Sequence, residues 1–222
     1  GVSCHEVSTN QPTMNIELVP AATRIGFMGP HGTFTEQALL GQPDLAAADT
    51  RPFDSIPDVL NGLVTGEVDL GFVPIENAIE GAVNVTQDTL AFDLDVRIQR
   101  EVVLDVQLNL LALPGTQLTD IHTVVSFPVA VAQCRNFLRE QLPDAEIQAA
   151  TSTAEAARQV GEQRLEGVAT ISNPLAAELY GLEAVAEAVE DHTGNQTRFL
   201  LLAREGVPAP TGHDKTSVVV FQ

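Results

Sequence analysis

Basic side chains are scarce in this chain. Eleven Lys and Arg, of which only Lys215 is a lysine, face thirty Asp and Glu, for a formal net charge of −19. Such a surface repels phosphate backbones and argues against nucleic acid as a partner. An anionic ligand would have to find local positive potential, from an arginine or the amino end of a helix. Cysteine is almost missing. Cys4 and Cys134 are too few for a disulfide framework and read as free thiols in a reducing cytosol. No Cys/His cluster has metal-ligand spacing, so no metal and no cofactor site is expected. No apolar run approaches the roughly eighteen residues that span a bilayer, which excludes a transmembrane helix. Gly1 to Pro20 lack the basic start and compact apolar stretch of a secretory signal. The expected location is therefore cytoplasmic, with no membrane partner. There is no repeat of fixed period and no low-complexity tract.

What is present describes a globular chain of 222 residues, 44% hydrophobic and 18% charged, long enough to bury a real core. Strand-like runs cover Thr23–Phe27, Leu70–Pro74, Val102–Leu113, Thr123–Ser126, Val168–Ile171, Arg198–Ala203 and Thr216–Phe221. Helical stretches lie between them, around Phe34–Leu40, Pro57–Thr65, Val85–Phe92, Val129–Glu140, Thr153–Gln163 and Pro174–Leu179. This alternation predicts an α/β architecture with mostly parallel sheets. The run from Glu101 to Leu113 is too long for one ordinary strand. With Arg198–Ala203 it suggests the two crossings of a two-lobed protein, whose ligand would sit in the cleft between lobes. Residues 1–22 read as a loose tail, and Gly206–Asp214 as a Pro/Gly-rich linker.

Five segments carry chemistry. In Gly29-Pro30-His31-Gly32-Thr33-Phe34-Thr35-Glu36, Thr33 and Glu36 have capping-box spacing. The glycines would let backbone approach an anion at the helix start, although an ordinary strand-turn-helix joint has the same look. Val73-Pro74-Ile75-Glu76-Asn77 ends a strand and leads through Glu80, Gly81 and Asn84 into a helix, which is where α/β ligand sites form. Equally, Glu76 and Asn77 could merely satisfy loop backbone. Ser126-Phe127-Pro128, with Gln133 seven residues after the serine, and Thr151-Ser152-Thr153 before Ala154 both open helices, where capping is the usual role. Finally, Asp191 to Arg198 gathers polar residues ahead of an apolar strand. There Arg198 is read as either a ligand cation or a surface ion pair.

Taken in order, these segments resemble the prephenate dehydratase family. GPHGTFTEQA, VPIENAIEGAVN, SFP with the following AQC, TSTAEAA, NQTRF and, after the linker, KTSVVVF match its motifs from Thr23 to Phe221. VPIEN and TRF are the specific ones. The chain departs from the family pattern at Phe127, where the family carries histidine, which implies shape or packing at that position.

The resemblance implies a two-lobed α/β fold like that of type 2 periplasmic binding proteins, with the active site in the cleft between lobes. It divides the chain into lobe 1 (23–100 and 191–205), lobe 2 (101–190), the linker 206–214, and 215–222 as the first strand of a truncated ACT-type regulatory domain. It further implies a carbon–oxygen lyase that converts prephenate to phenylpyruvate, CO2 and water on the way to phenylalanine, without metal or organic cofactor. On this reading Thr197 donates to the leaving oxygen, and Glu76, if buried, is the alternative acid. Asn77, Ser126 and Gln133 position the substrate, while Thr33, Thr35, Asn84, Ser152, Thr153, Arg198 and Phe199 bind it or wall the site. Arg198 is expected on the pyruvyl carboxylate. L-Phenylalanine would be an effector only of the full-length protein, and a homo-oligomer, dimer or tetramer, is expected. The alternatives are an arogenate dehydratase and a non-catalytic two-lobed binder of small anions.

Overall fold

The structure, a computed structural model, describes residues 18–218. It contains two sheets. The first has the order β2-β1-β3-β11-β5, with β4 paired to β3. Its strands are β1 (Arg24–Met28), β2 (Asp49–Phe53), β3 (Leu70–Asn77), β4 (Gly81–Ala82), β5 (Arg97–Asp105) and β11 (Gln196–Ala203). The second, β10-β6-β9-β7-β8, comprises β6 (Asn109–Ala112), β7 (Thr123–Ser126), β8 (Glu146–Ala149), β9 (Val168–Ser172) and β10 (Glu183–Ala186). The two share one plan. A parallel trio, β2-β1-β3 or β8-β7-β9, is flanked by an antiparallel strand that has arrived from the other lobe, β11 or β6. This is the two-lobed α/β fold that the sequence resemblance implied.

Helices cover both faces of each sheet, so the central strands are apolar on successive residues. In β11, Phe199 and Leu201 enter one core cluster with Ile25, Phe27, Leu39 and Phe72, while Leu200 and Leu202 enter another with Ile56, Val59, Leu60 and Val73. The helices are α1 (Phe34–Leu40), α2 (Pro43–Ala46), α3 (Ile56–Thr65), α4 (Asn84–Asp88, continued by a wider turn through Asp93), α5 (Pro128–Gln133), α6 (Arg135–Gln141), α7 (Thr153–Glu162) and α8 (Pro174–Tyr180). None of the described helices is long and apolar enough to cross a membrane.

The long run from Glu101 to Leu113 divides at Val106–Leu108, where the chain passes from β5 to β6. The lobe boundary expected at residue 100 falls inside β5, which stays paired with β11 as far as Asp105. Arg198–Ala203 is likewise an ordinary strand of the first sheet, and the return crossing is the preceding stretch 187–195. The two crossings run together: Val106 N–H donates to the Asn195 carbonyl and Val189 N–H to the Leu108 carbonyl, both at 2.8 Å. The single helix expected over Val129–Glu140 breaks at fully buried Cys134, into α5 and α6. The return crossing takes up the groups this break frees. Asp191 N–H donates to the Gln133 carbonyl at 2.7 Å, and its carboxylate accepts from Asn136 N–H at 3.0 Å.

Strands β2, β4, β8 and β10 carry no sequence signal because they are short or bury little; every residue of β8 is exposed. Residues 216–218, in the expected last strand, belong to no element, and 219–222 and most of the expected tail, 1–17, lie outside the described residues.

The edge of lobe 1 is pinned by an inward ion pair. Asp44, on α2, accepts from both terminal nitrogens of Arg100 at 2.9 and 2.8 Å, with its side chain only 8% exposed. The guanidinium holds this carboxyl down from its ordinary value, 3.8, to about 2. A depressed folded-state value stabilises the fold above the ordinary one and is lost as pH falls through the depressed one. Asp44→Asn should therefore cost about 2 kcal/mol at pH 7 and progressively less as pH falls from 4 toward about 2. Urea melts of both proteins at pH 7 and pH 3 measure this, and equal midpoints at pH 7 would refute it.

Candidate active site

The lobes meet along two seams. At the first, the turn after β1 leans on α8. Gly32 takes a φ of +89°, and a Cβ there would lie 3.0 Å from the Tyr180 ring, so glycine lets the turn come this close. The Gly32 carbonyl accepts from Asn173 Nδ2 at 3.0 Å, while Asn173 Oδ1 caps α8 by accepting from Ala176 N–H at 2.7 Å. Tyr180 donates its hydroxyl to the His31 carbonyl at 2.6 Å. The capping box expected here is half made. Thr33 Oγ1 accepts from Glu36 N–H, but the buried Glu36 carboxylate turns to Gly32 N–H at 2.6 Å and to His31 Nδ1 at 2.7 Å.

The second seam brings together three of the residues singled out in the sequence. Asn77 and Thr197 are directly opposite one another in the β3–β11 ladder, and Asn77 Nδ2 donates to Thr197 Oγ1 at 2.8 Å. Asn77 Oδ1 accepts from the N–H groups of Ile79 and Glu80 at 2.9 and 3.0 Å, which folds the β3–β4 turn. Glu80 then reaches across to lobe 2, where its Oε1 accepts from Gln133 Nε2 at 3.1 Å. Gln133 Oε1 accepts from Asn195 Nδ2 at 3.4 Å, and Asn195 stands two residues before Thr197. The ring of contacts is closed through the main chain. The helix break at Cys134 puts Gln133 at the end of α5, beside the return crossing. A cavity of about 350 Å3 opens against this ring, walled by Ile79 and Glu80 from lobe 1, Val129, Ala132, Gln133 and Arg135 from lobe 2, and Glu190, Asp191 and His192 from the crossing.

Glu76 and Arg198 are neighbours of this ring but not part of it. Successive strand residues point to opposite faces, so the pair Glu76–Arg198 leaves from the other side to Asn77–Thr197. Arg198 bonds Glu76 at 2.7 Å and Glu101 at 2.5 Å, and these pairs, Glu101 foremost, raise the guanidinium further above its ordinary value. The Glu76 side chain is 45% exposed, which is not the dry setting that an acid role would need. Of the other residues named from the sequence, Ser126 is fully buried and donates to the Ile171 carbonyl at 2.8 Å. Ser152 caps α7 through Glu155 N–H at 2.9 Å, with Thr153 beginning that helix. Thr35 is buried in α1, and Asn84 starts α4 on the surface. Phe199 stacks on Phe72 at 5.3 Å within the core. Phe127, 39% exposed, makes no cap. No hydrogen bond among the described residues joins Thr33, Thr35, Asn84, Ser126, Ser152 or Thr153 to the ring. Cys134, desolvated in the core of lobe 2, has its thiol pushed up to about 12, so it is no nucleophile.

Asn173 and Tyr180 lie outside the segments singled out in the sequence, while Glu80 and Asn195 lie within them without a role of their own. A signal existed for Asn173, an asparagine directly before a Pro that opens a helix. For Glu80 and Asn195 only the folded contact reveals a role.

Fold and site together define a two-lobed α/β protein in which a ring of polar side chains bridges the lobes beside a cavity that Glu80 and Gln133 line. Residues 25–207 match the family model of prephenate dehydratase, and the chain belongs to that family. Among curated relatives, the prephenate dehydratase of Mycobacterium marinum is 40% identical over 207 residues, covering 89% of this chain and 65% of the relative. That of Mycobacterium leprae is 41% identical over 209 residues, covering 90% and 64%. The chain thus spans about 65% of the length of the relatives it matches. Among solved structures, prephenate dehydratase from Arthrobacter aurescens in complex with L-Phe superposes with a TM-score of 0.77 at 38% identity, over 85% of this chain and 62% of that one. The Staphylococcus aureus prephenate dehydratase gives 0.72 at 28%, over 82% and 67%. A chain named GqqA, described as a novel type of quorum quenching acylase, also gives 0.72, at 27% identity, over 84% and 66%.

Proposed function

We propose that this chain catalyses the decarboxylative dehydration of prephenate to phenylpyruvate. The observation that carries the reading is the direct bond between Asn77 of the VPIEN segment and Thr197 of the TRF segment, in a chain of this family. In the reaction, the bond between the ring and its carboxylate breaks to release CO2. The electron pair moves through the ring, which becomes aromatic, and expels the hydroxyl from the opposite carbon. That hydroxide takes up a proton and departs as water.

A donor placed at the departing oxygen acts where charge develops, and so lowers the barrier rather than merely tightening binding. Thr197 is built for this. Its oxygen already accepts a hydrogen bond from Asn77, which leaves the hydroxyl hydrogen to donate and polarises it. Gln133, joined to the Thr197 side of the site through Glu80 and Asn195, lines the cavity from lobe 2 and offers the substrate a second donor. For the pyruvyl carboxylate the cavity offers Arg135, whose guanidinium has no carboxylate partner among the described residues. Arg198, the cation expected there, is spent on Glu76 and Glu101. Acyl transfer of the kind named for GqqA needs a hydroxyl beside a base. Here Thr197 receives an amide hydrogen and Ser126 gives its own to a carbonyl.

The same reading makes prephenate the small-molecule partner and carries a homo-oligomer, dimer or tetramer, together with L-phenylalanine as an effector. The L-Phe complex of the Arthrobacter relative supports the last. Phenylpyruvate formation from prephenate, with arogenate run in parallel, is the test. Turnover of prephenate is expected, and none from either substrate overturns the reading.

A further inference from the structure

Resting on that reading, we infer that Asn195 is a positioning residue: it fixes the orientation of the Gln133 amide beside the cavity. The Glu80 carboxylate can only accept, so the group Gln133 turns to it, at 3.1 Å, is Nε2. The Gln133 oxygen must then face the other way, toward Asn195, and only a donor can meet it; Asn195 presents Nδ2 at 3.4 Å. Bonds in unliganded sites are commonly long and tighten when substrate binds.

Two features show that Asn195 serves this order rather than the fold alone. Its side chain lies in a residue only 5% exposed, and its Oδ1, buried, has no hydrogen-bond partner. A buried unsatisfied acceptor costs stability. The fold tolerates that cost while the same amide directs its donor at Gln133. Asn195 is also held from both sides, since its carbonyl accepts from Val106 N–H at 2.8 Å and β11 begins at the next residue. It therefore couples the paired crossings to the amide of Gln133.

The test reverses the order, and in its double form leaves the net charge unchanged. In Asn195→Asp the new carboxylate faces the Gln133 oxygen and forces the amide to turn, which sets that oxygen against Glu80. In the double variant Asn195→Asp/Glu80→Gln both ends of the Gln133 amide are paired again, but with the amide inverted. We expect Asn195→Asp to lose both thermal stability and about ten- to a hundred-fold in kcat/KM, the range typical of supporting residues. The double variant should regain part of the stability lost in Asn195→Asp, because the clash with Glu80 is gone, but not kcat/KM. The Gln133 side-chain amide resonances, assigned through Gln133→Ala, should shift in both. If the double variant regains activity along with stability, Asn195 is merely structural and the inference fails. The same holds if those resonances do not move, a readout that needs no turnover. An unaltered chain inactive on prephenate would instead sink the proposed function, leaving the orientation of Gln133 to be judged by the spectra.

Discussion

Thr197→Ala is expected to lower kcat about a hundred- to a thousand-fold, the usual effect of removing one donor aimed at developing charge, with little change in KM. The fold should survive. Thr197 is half-buried, and losing its side-chain bond to Asn77 leaves the backbone ladders of β11 with β3 and β5 in place. Thr197→Ser keeps the hydroxyl and should recover most of the rate, because Asn77 Nδ2 can still donate to the serine oxygen. Steady-state kinetics of the three proteins decide the matter. An alanine variant within a few-fold of the unaltered chain would remove Thr197 from the chemistry.

The second large effect is expected at the other seam. Asn173 is fully buried and does two jobs, capping α8 and holding the Gly32 carbonyl of the opposite lobe. Asn173→Ala removes both, at about 1 kcal/mol for the cap and roughly 1–3 kcal/mol for the stranded carbonyl. For a chain of this size that is a fall in Tm of roughly 4–16 °C. Asn173→Ser separates the two, since serine caps as well as asparagine but cannot also reach the carbonyl, so only the inter-lobe share should be lost. A serine variant that melts with the unaltered chain would show that the bond between lobes contributes nothing.

How far the sequence reaches depends on what each residue buries. The strands that pack on both faces, such as β11 with Phe199, Leu200, Leu201 and Leu202, announce themselves as continuous apolar runs, and the lobes follow from them. Edge strands such as β8 leave no such trace. The cleft residues divide in the same way. Asn77 and Thr197 could be named from motifs, but that they touch, while Glu76 and Arg198 beside them pair with each other, follows from ladder register and strand alternation. Composition carries neither. Gln133 looked like a mid-helix residue, whereas the break at Cys134, enforced by burial of that side chain and by Asp191, makes it a helix end facing the cleft. Ser126 and Ser152 show the converse. Their hydroxyls stand in segments singled out as ligand-binding but satisfy backbone groups instead.

The most direct measurement follows prephenate labelled with 13C in the ring carboxylate by NMR as the purified chain acts on it. The account predicts that labelled CO2, seen as bicarbonate, appears one for one with unlabelled phenylpyruvate, and that both rates collapse together in Thr197→Ala. Label retained in the product, or equal rates for the two proteins, would contradict it.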